Sequence, residues 1–133
     1  MSKFTFAFCC FMIAGTLTTF ASTTYATLMS YEGWGIAGKD SVQTFIINDT
    51  DTVTINHTTS RWTNASPSVS PTLDVEITKK NAFGYFAGTG KFLSKTGTGS
   101  ASKSFNLSNG HYRLYFSTSH STAKADINGN VTH

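Results

Sequence analysis

The alternation of apolar and polar positions is clearest in Thr72-Leu73-Asp74-Val75-Glu76-Ile77-Thr78, where Leu73, Val75 and Ile77 take one side and Asp74 and Glu76 the other. A period of two is that of a strand with one face on a core and one in water. The same period recurs at 111–117, with Tyr112, Leu114 and Phe116 on one face and His111, Arg113 and Tyr115 on the other. Residues 52–57, with Val53 and Ile55 inward, 103–107 and 123–127 follow it too, before a short terminal segment around Val131. Residues 42–47 are apolar on both faces, as in a strand covered on each side. With the turn cluster Asn48-Asp49-Thr50-Asp51, they and residues 52–57 read as a β-hairpin with a four-residue connection. The glycine-rich middle reads as two short strands, 83–87 and 91–94, flanking Gly88-Thr89-Gly90, while Asn109-Gly110 and Asn128-Gly129 read as turns. No segment sustains a helical period and no internal repeat appears. The expected fold is all-β, a small antiparallel β-sandwich or small barrel of about seven short strands.

The N-terminus has a different pattern. Lys3 precedes a run, 4–17, that is apolar or small apart from Thr5 and Thr16, and small residues follow with cleavage sites after Ala21 or Ala26. This is the form of a secretory signal peptide. A spanning helix needs about 20 apolar residues, and the run is broken before that. Cleavage after Ala26 gives the expected organisation: signal peptide 1–26, a glycine and aromatic arm or edge strand 27–40, and a single β domain 41–133. Both cysteines, Cys9 and Cys10, fall in the discarded segment, too early for a full apolar region to precede a lipidated cysteine. The mature chain is therefore expected to be secreted, free of thiols and disulfides, and without a stable transmembrane span.

Composition sharpens this picture. The 133 residues carry 10 Lys+Arg against 7 Asp+Glu and only two prolines, which excludes a highly charged disordered chain or a proline-rich linker. Residues 27–133 hold 36 apolar side chains and 30 Ser or Thr, a thin core supply in a composition that favours strands and turns over helix interiors. Five Asn-x-Ser/Thr triplets, at Asn48, Asn56, Asn64, Asn106 and Asn130, follow from the same abundance of small polar residues.

The familiar catalytic patterns are missing. The stretch from Gly84 to Lys91 fails as a phosphate-binding loop, because Phe92 follows the lysine where a hydroxyl should bind Mg²⁺ and no helix receives the phosphate. Gly97-Thr98-Gly99 has no third glycine at the dinucleotide spacing. His57, His111, His120 and His133 are scattered, so neither a metal site nor a cofactor is expected. No G-x-S-x-G elbow is present. Asp74 and Glu76 lie about 5–7 Å apart on one strand face, a spacing open to a carboxylate pair, but a solvated face predicts the same alternation. The expectation is a protein that is not an enzyme.

Charge is distributed unequally. Residues 27–78 contain two basic against six acidic side chains, a net of −4, and residues 79–133 seven basic against Asp126 alone, a net of +6. Lys79, Lys80, Lys91, Lys95, Lys103, Arg113 and Lys124 could converge into a basic surface, Lys91, Lys95 and Lys103 being the binding candidates among the lysines, unless the halves interleave and the charges mix. Trp62, Arg113 and Tyr115 are the candidates for an aromatic and polar platform of the kind that stacks on sugars or seats at a membrane interface. The expected function is a secreted, non-enzymatic extracellular binding module for a cell surface, carbohydrate or polyanion, with a glycan or anionic lipid as partner and no nucleic acid. Two alternatives are a small membrane-active toxin or antimicrobial protein, and a self-assembling structural subunit that oligomerises by strand donation.

Overall fold

In the computed structural model the described residues are 25–66, 68 and 70–133. Residues 1–24 of the expected signal peptide, Cys9 and Cys10 among them, lie outside the described residues, and Ala26 exchanges backbone hydrogen bonds with His133 (3.1 and 3.0 Å). Nine strands and no helix make up the described chain: β1 (Thr27–Ile36), β2 (Lys39–Asp40), β3 (Phe45–Ile47), β4 (Asp51–Thr63), β5 (Thr72–Lys80), β6 (Phe86–Thr96), β7 (Gly99–Leu107), β8 (Gly110–Thr118) and β9 (Lys124–Thr132). Sheet A has the order β1-β9-β4-β7; sheet B has the order β2-β8-β5-β6, with β3 also paired to β8. Every pairing is antiparallel. The all-β expectation holds, as two sheets with a shared core between them. The count is nine strands rather than about seven, because the segment before residue 41 contributes β1 and β2 and the run 42–47 shrinks to β3.

If β2 and β3 are counted as one interrupted strand, the sheets interleave in the order of an eight-stranded jelly roll. Every connection between these strands crosses from one sheet to the other except β5–β6. The expected hairpin across 48–51 is one of the crossings: β3 pairs β8 in sheet B, while β4 pairs β7 and β9 in sheet A. A four-residue turn cluster is compatible with both outcomes, and long-range pairing decides between them. The two expected strands around Gly88-Thr89-Gly90 are a single strand, β6, with a bulge where Ile77 opposes Lys91 and Thr78 opposes Gly88. Asn128-Gly129 is no turn either but lies within β9.

The core follows the period of two. Leu73, Val75 and Ile77 of β5 and Leu114 of β8 are fully buried, facing Val53, Ile55 and Val131 of sheet A. Tyr112 and Phe116 point inward while His111, Arg113 and Tyr115 alternate outward. One row of the core is polar. Tyr31, Gly129 and His57 stand side by side on β1, β9 and β4. The Tyr31 hydroxyl lies 2.8 Å from His57 Nδ1, and His57 Nε2 lies 2.8 Å from Thr59 Oγ1. Gly129 permits this, since a Cβ there would collide with the Asn56 carbonyl oxygen and the Tyr31 hydroxyl. The glycine is needed for ring passage, and no turn requires it.

Candidate functional site

The β5–β6 connection carries the most exposed aromatic pair of the described chain. Asn81 organises it: its N–H donates to the Tyr85 carbonyl (2.7 Å), its carbonyl accepts the Gly84 N–H (3.0 Å), and its Oδ1 accepts the N–H groups of Phe83 and Tyr85 (3.0 Å each). An asparagine that caps its own turn fixes the backbone without help from a core. Phe83 and Tyr85 therefore point into water, 86% and 72% exposed. Two large rings left in water at one turn are the largest aromatic exposure of the described chain. Lys79 and Lys80 precede the turn, and residues 79–87 contain no acidic side chain.

The tip continues onto the outer face of sheet B. Lys80 stands opposite Phe86, and Ile46 opposite His111. The Phe86 and His111 rings meet edge to face at 5.9 Å, and the Arg113 guanidinium stacks 4.3 Å over Phe86. Arg113 Nη2 also pairs with Asp40 at 3.0 Å, while its shielded Nε has no partner among the described residues. Such a half-exposed pair contributes little stability; its effect is to hold the guanidinium flat against the ring. Ile46 is exposed. Tyr115 lies further along the same face, opposite Asp40 and Glu76 and beside Gly38.

The six residues expected to bind fall in three places. Arg113 and Tyr115 share the outer face of sheet B. Trp62 is in sheet A opposite Ala125, packs against the core, and donates its indole N–H to the Gly97 carbonyl at 2.9 Å. It does not join the other two, because β4 and β8 belong to opposite sheets; within sheet A, the register break between Thr59 and Arg61 turns its ring to the inner side. Lys91 and Lys95 alternate with buried Leu93 on β6, and Lys103 faces them from β7. The Lys103 ammonium donates to the Phe92 carbonyl (3.2 Å) and lies 5.4 Å from the Phe105 ring centroid; Lys95 donates to the Thr96 carbonyl (3.0 Å). These are inward-directed lysines on two sheet-edge strands, an arrangement that blocks strand addition.

The charge halves interleave in both sheets, since β1, β4 and β5 alternate with β9, β7 and β8, while the β6/β7 edge is drawn entirely from the basic half. Asp74 accepts from Ser94 and Glu76 accepts the Gly90 N–H at 3.1 Å, so both carboxylates have structural partners. Among the described residues no group of three or more His, Cys, Asp or Glu side chains could hold a metal ion, and no helix is long and apolar enough to cross a membrane. Compared with protein-family models, with curated proteins and with solved structures, the chain matches none.

Phe83 has no place among the sequence candidates because residues 83–87 read as a strand. The signal that finds it is Asn81 followed three residues later by Gly84, a type I turn pattern inside an apolar run.

Proposed function

We propose that the protein is an exported, non-enzymatic binding module that docks reversibly on anionic cell-surface membrane through the β5–β6 tip. The observation that carries this reading is the pair Phe83 and Tyr85, held solvent-facing by Asn81, with the exposed Lys80 side chain beside Gly84, while the Lys79 ammonium is turned to Ser108 Oγ at 3.0 Å. Aromatic rings favour the headgroup level of a bilayer, and lysines beside an anionic surface contribute about 1 kcal/mol each. Arg113, His111 and Ile46 extend the same chemistry along sheet B. Two rings and a few cations give peripheral, salt-sensitive attachment, far short of insertion.

Cosedimentation with phosphatidylcholine vesicles, with and without phosphatidylglycerol, tests the reading. Binding is expected to require the anionic lipid and to weaken as salt rises. Lys80→Ala should lower the partition constant by roughly fivefold, the equivalent of about 1 kcal/mol. Vesicles that trap a dye should stay sealed while protein is bound. Leakage at low coverage would support the membrane-attacking alternative, and absence of binding at low salt would end the proposal.

A further inference from the structure

The outer face of sheet A, on the opposite side of the sandwich from the Arg113 platform, carries a second built surface. Strands β1 and β4 flank β9, and both have a register break at the level of Asp126. On β1, Gly33 opposes Ile127 and Ile36 opposes Ala125, so that Trp34 and Gly35 together face Asp126; on β4, Thr59 opposes Ile127 and Arg61 opposes Asp126, leaving Ser60 extra. A bulge re-aims the side chains it carries. The Asp126 carboxylate ties both: Oδ1 accepts the Gly35 N–H at 2.9 Å, and Oδ2 accepts Arg61 Nε at 2.9 Å. Gly35 reaches that position with φ of 61°, a backbone region open to glycine. The Gly35 N–H, with support from Arg61 and against the effect of burial, holds the Asp126 carboxyl below the usual carboxylate range.

Two side chains are presented as a result. Trp34 is 70% exposed, and the Arg61 side chain 67% exposed, with Nε committed to Asp126 and the rest of its fork directed to solvent. Next to them, a shallow groove of about 240 Å³ crosses the strands. One wall is Asn128, Thr58 and Ser100, the other Asn130, Asn56 and Ser102, and the backbone of the row between them forms the floor. Cross-strand hydrogen bonds fix these walls, among them Asn56 Nδ2 to Asn130 Oδ1 at 2.9 Å and Thr58 to Ser100 at 2.7 Å. The Asn128 side-chain amide has no partner among the described residues and stands between the groove and Asp126. No charged side chain lines the groove.

We infer that this surface binds a neutral polysaccharide chain, with Trp34 stacking on a sugar face, Arg61 and Asn128 donating to ring hydroxyls, and Asp126 acting as the positioning residue. Polyhydroxylated ligands need donors and acceptors in fixed places, an aromatic plane for their C–H faces, and no net charge. The walls supply the first and Trp34 the second; the Arg61–Asp126 pair neutralises its own guanidinium, and the exposed Glu32, opposite Asn128 on β1, leaves a carboxylate acceptor that disfavours an anionic chain.

The chain has two tryptophans, so Trp62→Phe leaves Trp34 as the reporter. Its fluorescence is titrated with cellohexaose, chitohexaose, xylohexaose and mannohexaose, and with polygalacturonate as the charged comparison. Saturable binding of at least one neutral hexaose is expected. In calorimetry on the otherwise unaltered chain, Trp34→Ala should weaken it at least tenfold and Asn128→Ala several-fold. Asp126→Asn should weaken it while Phe83→Ala/Tyr85→Ala leaves it unchanged. Failure of all four neutral hexaoses, preference for polygalacturonate, or unaltered affinity in Trp34→Ala overturns the inference, and none of these results bears on vesicle docking.

Discussion

His57 is a base that its surroundings keep uncharged. Burial, and then the neighbouring Lys95 ammonium, push its pKa from 6.5 down to about 4. The same burial raises the Tyr31 hydroxyl above its ordinary value, so the pair remains neutral and shares one hydrogen bond. In the unfolded chain the imidazole titrates near 6.5, so between that pH and about 4 the unfolded state binds more protons than the folded state. His57 therefore leaves stability undiminished above pH 6.5, removes it progressively as pH falls, and removes no more below about 4. The full loss amounts to roughly 3 kcal/mol. Urea midpoints taken across this range should fall with pH, and His57→Gln should flatten the fall; an equal slope in the variant would contradict the assignment. The burial of His57 extends the period of two from Val53 and Ile55. The sequence shows no sign of its partner Tyr31, because that contact depends on Gly129, which reads locally as a turn residue.

At the scale of elements, the faces of the long strands were legible and their partners were not. The alternation in β5 and β8 is a local property, carried by side-chain polarity at every second position. Pairing is nonlocal: in a jelly roll, neighbours in sequence cross between sheets, so the tight connection at 48–51 had no means of announcing a crossing. The bulges of β1, β4 and β6 were hidden for the same reason, since a register break exists only relative to a partner strand. Edge protection shows the cost of reading charge alone. Lys95 and Lys103 each donate to a backbone carbonyl of β6, of Thr96 and Phe92 respectively. Lys95→Ala/Lys103→Ala should leave the far-ultraviolet spectrum unchanged and raise self-association, seen as concentration-dependent light scattering. A variant that stays monomeric at all concentrations would show that these lysines do not guard the edge.

For the whole molecule, the jelly-roll order places two distinct surfaces on opposite sheets. The β5–β6 tip is aromatic with Lys80 beside it, and the outer face of sheet B sets Arg113 among Asp40, Asp74 and Glu76; the outer face of sheet A is rich in amides and hydroxyls, with Arg61 paired to Asp126, and ends at Trp34. Interleaving of the two halves cancels most of the sequence dipole, leaving local charge where individual turns and edges put it. On the proposed function, the β5–β6 tip is the part of the protein that meets the bilayer. The most direct test places a single tryptophan at the tip, Tyr85→Trp with Trp34→Phe and Trp62→Phe, and compares it with a single tryptophan on the neighbouring region of sheet B, Ser94→Trp in the same background. Both are bound to anionic vesicles containing brominated lipid, which quenches by contact. Strong quenching at position 85 and weak quenching at position 94 is the predicted result. A bound protein whose position 85 remains unquenched would contradict it.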